Sequence, residues 1–333
     1  MAAGEGHGEA VWSTAAWRDR ALAWADDHLA AAGLARDGQV TQPHRRPWAT
    51  VLRIPTAGGP VWLKACSPGT AAEVGLYEVL AGTVPDRILV PLATDRARRW
   101  LLLPDGGPVL GERLEGAALA EALAASLAAY GRMQLDLATH VDDVLAAGVA
   151  DMRPAALPAR FEEALDATAA TADPDRHREV AALRPRVAEW CERLGASPVP
   201  ASLDHNDLHP WNVLGEPDAP RFYDWGDAVV AHSFAATLVP LGFVATLLGT
   251  GVEDPRVLAA RDAYLAVFGG DGADELVPML ELACRVAKIA RTLTWDRAVR
   301  AAREQGEELE DRWRLAPWET LSTLDGDGYL GGR

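Results

Sequence analysis

Cysteine is scarce and unpatterned in this chain. Cys66, Cys191 and Cys284 are scattered and odd in number; without a C-x-x-C pair they outline neither a zinc site nor a disulfide framework. That usage fits a reducing compartment, so a cytoplasmic protein is expected. A basic surplus is also missing. Lys and Arg total 32 against 48 Asp and Glu, a net charge of −16, whereas a nucleic-acid ligand demands a basic footprint. No nucleic-acid partner is expected. A cationic small molecule suits this balance, and so does an acidity that reflects only the host's overall composition. Long apolar runs are absent as well. The stretch from Phe234 to Thr250 comes nearest to a membrane span but stops at Gly251 and Glu253, so no membrane association is expected. Met1 to Ala10 lacks the basic start and apolar core of a signal peptide.

What remains is a globular composition, 49% apolar and 24% charged over 333 residues, long enough for two lobes. Ser13 to Ala32 reads as a helix capped by Ser13. Short β-like runs follow at Gln39–His44, Ala49–Ile54, Val61–Ala65, Ile88–Ala93 and Arg99–Leu103, with one inserted helix, Ala71–Leu80. The first third is therefore expected to be an antiparallel five-stranded sheet lobe. Pro104-Asp105-Gly106-Gly107-Pro108 is the clearest hinge and divides a lobe of residues 1–104 from one of 105–333. Beyond it the pattern is helical: Gly116–Ala147 with a break inside, Phe161–Thr171, Arg176–Leu194, Phe234–Leu248, Pro255–Phe268 and Ala273–Glu304, then an irregular tail rich in tryptophan. The fold class is α+β.

Two stretches carry the chemistry. Leu203-Asp204-His205-Asn206-Asp207-Leu208-His209-Pro210-Trp211-Asn212-Val213-Leu214 is followed by Arg221-Phe222-Tyr223-Asp224-Trp225-Gly226-Asp227. A turn, Gly215 to Pro220, joins two apolar pairs into a hairpin-like unit, so Asn212 and Asp224 present hard oxygens suited to Mg²⁺ across from each other. Asp207 lies on the loop leading in. Upstream, Lys64 is the one charge in the apolar strand Val61-Trp62-Leu63-Lys64-Ala65. A lysine there is costly unless it is paired or usefully directed; a snorkelling edge lysine is the plainer reading.

His205-x-Asp207-(x4)-Asn212 with Asp224-Trp225-Gly226-Asp227 resembles the aminoglycoside phosphotransferase family of small-molecule kinases. Its loop typically reads H-G-D-x-H-x-x-N and its second motif D-W-x-x. Protein kinases carry Arg after the His and Phe after the metal-binding Asp, where this chain has Asn206 and Trp225. The resemblance implies a bilobal, protein-kinase-like fold and phosphoryl transfer from ATP with Mg²⁺. It casts Asp207 as the catalytic residue that accepts or orients the acceptor's proton, and Asn212 and Asp224 as metal ligands. It also puts Lys64 on the nucleotide phosphates with Glu73 as its partner, Glu78 being the fallback. His205 and His209 brace the loop, and Asp227 supports the site. Adenine would lie at the hinge against Leu103 and Asp105, with Trp100 and Leu101 nearby. Two departures stand out. The interval from Lys64 to Glu73 is short. No G-x-G-x-x-G covers the phosphates, so either Arg45 and Arg46 in the corresponding turn contact them or the turn is simply solvated.

The partner so implied is a small molecule with a hydroxyl acceptor, first an aminoglycoside or amino sugar. A cationic acceptor would draw on Asp142, Asp227, Trp295, Asp296, Glu308 and Asp311, since ammonium groups bind to carboxylates and aromatic faces; solvated acidic helix faces are the plainer alternative. Kinases of neutral sugars or other small alcohols share these motifs. A nucleotide-binding regulator without turnover is the reading from another class.

Overall fold

Residues 6–326 and 328–330 are described by a computed structural model; the first five residues of the Met1–Ala10 stretch fall outside these limits. Alternation builds the N-terminal sheet. In β2 (Ala49–Ile54) and β3 (Val61–Cys66), Leu52, Ile54, Val61, Leu63 and Ala65 point to one face and are buried, as a period of two requires. There they meet Trp17, Ala21, Ala25 and Leu29 of a long helix. That helix and the short one before it are α2 (Ala15–Ala31) and α1 (Glu9–Trp12). The cap of α2 is Thr14, whose hydroxyl accepts from the Trp17 N–H at 3.3 Å; Ser13, expected there, closes α1 instead. The opposite face of the sheet carries Val51, Trp62 and Lys64.

The sheet is completed by β1 (Thr41–Arg46), β4 (Ala93–Asp95) and β5 (Trp100–Pro104) in the antiparallel order β1-β2-β3-β5-β4, with α3 (Ala72–Thr83) inserted after β3. The expected strand at Ile88–Ala93 sits later, at Ala93–Asp95. Ile88 and Leu89 are buried, and Ile88 bridges to Phe222. The apolar run thus serves the contact with the second lobe and not the sheet ladder.

After the 105–108 crossing come α4 (Leu110–Arg113), α5 (Gly116–Leu137), α6 (Val141–Ala146), β6 (Ala150–Asp151), α7 (Leu157–Thr168), α8 (Pro174–Ala181) and α9 (Arg184–Gly195). A 3₁₀ turn at Ala138–His140 makes the break expected within 116–147. The helix expected over Arg176–Leu194 is two helices, because Pro185 lacks an N–H and restarts the chain in the first turn of α9. The remaining elements are β7 (Ala201–Asp204), β8 (Val213–Leu214), β9 (Arg221–Phe222), β10 (Val229–His232), α10 (Leu238–Leu248), α11 (Pro255–Gly269), α12 (Val277–Glu304), α13 (Asp311–Arg314) and α14 (Ala316–Leu321). The tail is thus partly helical. It is held against α12 by Lys288, which donates to the Thr323 carbonyl at 3.0 Å, and by Arg285, which donates to those of Leu324 and Gly326. No described helix is long and apolar enough to cross a membrane.

The small sheet β6-β10-β7 positions the chemistry. β7 ends where Asp204 pairs with Val229, the first residue of β10. The loop leaving β7 and the loop entering β10 therefore start side by side, over the buried helices α5 and α12.

Candidate active site

The loop after β7 is pinned at nearly every residue. Tyr130 on α5 donates its hydroxyl to the Leu203 carbonyl and accepts the His205 N–H at 2.8 Å. Asp204 accepts the Asn206 N–H at 2.7 Å. Asn206 has φ +58, a left-handed conformation that asparagine tolerates better than most residues. Its side-chain amide donates to Thr294 on α12 at 2.9 Å and to the Asp227 carbonyl at 3.2 Å. The His205 ring meets the Tyr223 carbonyl at 2.9 Å and lies 4.6 Å from the Trp225 ring. Burial lowers the His205 pKa, so the ring is neutral with its proton on Nε2, bracing the loop against the residue before Asp224.

The Asp207 carboxylate receives Arg291 from α12. Nη2 donates to Oδ1 at 2.7 Å, while Nη1 donates to the Asn206 carbonyl at 2.7 Å. His209 Nδ1 accepts the Trp211 N–H, which leaves the proton on Nε2, 3.4 Å from Asp207 Oδ2. Burial opposes ionisation of Asp207, but Arg291 and His209 outweigh it and hold the carboxyl well below the usual range.

Lys64 bridges two carboxylates, with Nζ 2.8 Å from Glu73 Oε1 and 2.6 Å from Asp224 Oδ1. Glu73, on α3, is 1% exposed and also accepts the Trp225 N–H at 3.1 Å. Glu78 is engaged elsewhere, with Thr94 and Arg96. Burial raises the Glu73 pKa against the pull of Lys64. It would lower that of Lys64, but Asp224 and Glu73 together push the ammonium's pKa well above its ordinary value. Asp224 sits at φ +64, a conformation of a kind that is costly outside glycine and concentrated at functional sites.

Asn212 donates its amide to the Asp207 carbonyl at 2.9 Å, which leaves its Oδ1 for a cation. The β8–β9 pairing, Val213 opposite Phe222, continues with the Tyr223 N–H donating to the Asn212 carbonyl, so Asp224 lies one residue past the partner of Asn212, and both Asn212 and Asp224 line the same cleft. Among the described residues no cluster of three or more His, Cys, Asp or Glu side chains would hold a metal unaided. An amide oxygen and one carboxylate match Mg²⁺, which takes few protein ligands and completes its shell with phosphate and water.

Between the sheet and these loops runs a cleft of about 550 Å³, reaching from His44, Arg46 and Trp48 past Lys64 to Leu103, Asp105 and Asp224. Arg45 is not part of it. Strand alternation turns it to the other face, where it lies 3.5 Å from Glu9; of the two expected arginines only Arg46 lines the cleft. Trp100 is likewise turned away, into the core under α2. Asp105 lines the hinge end, its carboxylate accepting from Trp62 Nε1 at 2.7 Å.

The expected acceptor residues do not collect at Asp207. Asp296 pairs with Arg300 and Asp311 with Arg314, Glu308 is exposed, and Asp142 lies on α6 and acts on Arg153. Trp295 stacks under Arg291 at 4.5 Å and against Trp313 at 5.2 Å. Only Asp227 is at the site, and Arg297 binds its carboxylate. Around Asp207 stand residues that no motif marks, Arg291, Thr294 and Arg297 of α12 and Phe243 of α10; Phe243 forms a ring cluster with the expected His209 and with Trp211, with centroids 5.5 Å apart for His209–Phe243 and 6.5 Å for Trp211–Phe243. One sequence signal was available, the four-residue spacing of Arg291 and Trp295 on one helix face.

A two-lobed cleft with a lysine–glutamate pair on one wall and an aspartate-bearing loop on the other defines a kinase-like phosphotransferase. The chain belongs to the phosphotransferase enzyme family, which matches residues 39–235. Solved structures agree on the fold. The macrolide 2′-phosphotransferase MphH of Brachybacterium faecium is 19% identical, with TM-score 0.53, over 93% of this chain and 99% of that one. A choline/ethanolamine kinase family protein of Mesorhizobium loti is 16% identical, with TM-score 0.57, over 92% and 93%. The amicoumacin kinase hAmiN, solved in complex with AMP-PNP, Ca²⁺ and Ami, is 15% identical, with TM-score 0.55, over 95% and 97%. No curated protein matches the chain.

Proposed function

We propose that this phosphotransferase moves the γ-phosphoryl group of ATP to a hydroxyl of a small molecule, working as two lobes that divide at Pro104. The observation that carries this reading is Lys64, held 2.6 Å from Glu73 Oε2 and 2.6 Å from Asp224 Oδ1 on the wall facing the Asp207 loop. Lys64, with Arg46, binds the phosphates, and Leu103 with the hinge backbone receives the base. Asn212 and Asp224 would hold Mg²⁺, which would supply charge neutralisation on the phosphates. Asp207 orients the acceptor hydroxyl and takes its proton as the acceptor oxygen bonds to the γ-phosphorus. The bond to the β,γ-bridging oxygen breaks, and its electron pair leaves on ADP. Positioning dominates such a step, which suits a carboxylate as firmly held as Asp207. A regulator without turnover has no need of Lys64, Asp207, Asn212 and Asp224 together. Incubation with γ-labelled ATP, Mg²⁺ and a panel of amino sugars, aminoglycosides and neutral alcohols tests the reading: label should pass to at least one acceptor, and failure to bind Mg·ATP would overturn it.

The acceptor's character follows from what surrounds Asp207. A carboxylate that is to bind an ammonium group must be free of other cations, and beside the reacting hydroxyl both Asp207 and Asp227 are already matched by arginines. The rings of His209, Trp211 and Phe243 offer an apolar wall instead, and Trp211 is 44% exposed. This favours a neutral alcohol with an apolar face over a polycation. Comparing an amino sugar with its hydroxyl counterpart at low and high salt decides between them. Equal use of both is expected; a preference for the amine that fades with salt would restore the cationic acceptor.

A further inference from the structure

We propose that Arg291 is a positioning residue for phosphoryl transfer, committing one oxygen of Asp207 to itself so that the other faces the acceptor; the inference rests on the kinase reading above.

The guanidinium is used as a fork. One arm donates to the Asn206 carbonyl and the other to Asp207 Oδ1, each at 2.7 Å, so that a single rigid plane sets both the loop backbone and the carboxylate. A lysine offers no such pair of fixed directions. The plane itself is set by Trp295, four residues on in α12, at 4.5 Å, and the side chain is only 13% exposed. With Oδ1 committed, Oδ2 is the freer oxygen: its nearest donor, His209 Nε2, stands at 3.4 Å, too long for a strong hydrogen bond. An acceptor hydroxyl therefore meets Oδ2.

The same helix holds the neighbouring loop. Thr294 accepts from Asn206, and Arg297 donates to the Gly226 carbonyl at 3.0 Å and to Asp227. Removing Arg291 alone thus leaves α12 tied to the Asn206 side chain through Thr294 and to the 226–227 turn through Arg297, while the nucleotide wall of Lys64, Glu73 and Arg46 is untouched. A positioning role predicts a loss confined to turnover.

The test uses Mg·ATP as the probe, with water as acceptor. In Arg291→Met, kcat for ATP hydrolysis should fall about 10- to 100-fold, as misplacement of a catalytic group does, while Kd for Mg·ATP stays within about twofold. Millimolar methylguanidine should restore part of the rate in Arg291→Ala and none in Asp207→Asn. Arg291→Lys keeps the charge, loses the fork and should fall between the wild type and the methionine variant, which keeps the inference testable should the methionine variant fold poorly. Adding Arg291→Met to Asp207→Asn should cost little more than Asp207→Asn alone. Unchanged kcat in Arg291→Met, or a parallel loss of kcat, nucleotide affinity and Tm with no guanidine rescue, would overturn the inference and leave a structural brace. If Asp207→Asn hydrolyses ATP as fast as the wild type, the kinase reading fails and this inference with it.

Discussion

Lys64 Nζ and Asp224 Oδ1 lie 2.6 Å apart across 160 residues of sequence, so the lysine that would hold the phosphates rests on the carboxylate that would hold the metal. Its other partner, Glu73, is buried with no access to water. Taking Lys64 away therefore leaves a desolvated carboxylate without its counter-charge. Lys64→Met should abolish Mg·ATP binding and also cost roughly 3–5 kcal/mol of stability. Glu73→Gln placed on top of it should recover part of that loss. Urea unfolding of the wild type and the two variants measures this; a double variant no more stable than Lys64→Met would count against the buried pair.

Asp207→Asn should fold normally and bind Mg·ATP, while turnover drops by orders of magnitude because proton acceptance and orientation are lost. Asn212→Ala should instead weaken the metal requirement's affinity, with partial rescue by excess Mg²⁺. A variant of Asn212 whose Mg²⁺ dependence matches the wild type would remove Asn212 from the metal site.

The strand parity of β1 separates its two arginines. Arg46→Ala should raise the KM for ATP several-fold, whereas Arg45→Ala, whose partner is Glu9 on the far side, should leave it unchanged. Equal effects would mean that the β1–β2 turn does not cover the phosphates.

Asp204 should make stability depend on pH in an unusual direction. Burial pushes its carboxyl up to about 7, against the bond from Asn206 and the charge of Arg291. Between its ordinary value near 4 and that raised one, the folded protein holds a proton that the unfolded chain has lost. Folding is thus linked to proton uptake, and stability falls as pH rises through this window, by on the order of 2–4 kcal/mol from this group. Asp204→Asn keeps an oxygen for the Asn206 N–H and removes the titration. The variant should match the wild type near pH 4 and exceed it at pH 8 in urea unfolding; parallel curves would show that Asp204 stays ionised.

Residues whose roles depend on fixed local spacing were legible in the amino-acid chain. Asp207 and Asn212 share one loop, Asp224 follows one hairpin later, and the Pro-Gly-rich hinge marks itself by turn chemistry. The five strands were legible too, apart from β4, where Ile88 and Leu89 look like a strand because burial against the second lobe demands the same apolar residues as a sheet core. Parity along β1 separates Arg45 from Arg46, but nothing local says which face meets the cleft; the packing of α2 on the other side decides it. Arg291 is 84 residues from Asp207, and its helix shows only an apolar period with charges between. Which of those charges turns inward depends on how α12 crosses beneath β7 and β10. The acidic residues of the last helices looked like a cation site from composition, yet most are matched by arginines one turn away, a pairing that becomes visible only when the helices are formed and set in place. Motifs record chemistry that must sit close along the chain; contacts such as Arg291 with Asp207 and Lys64 with Asp224 exist only because distant segments share one core, and tertiary packing alone decides them.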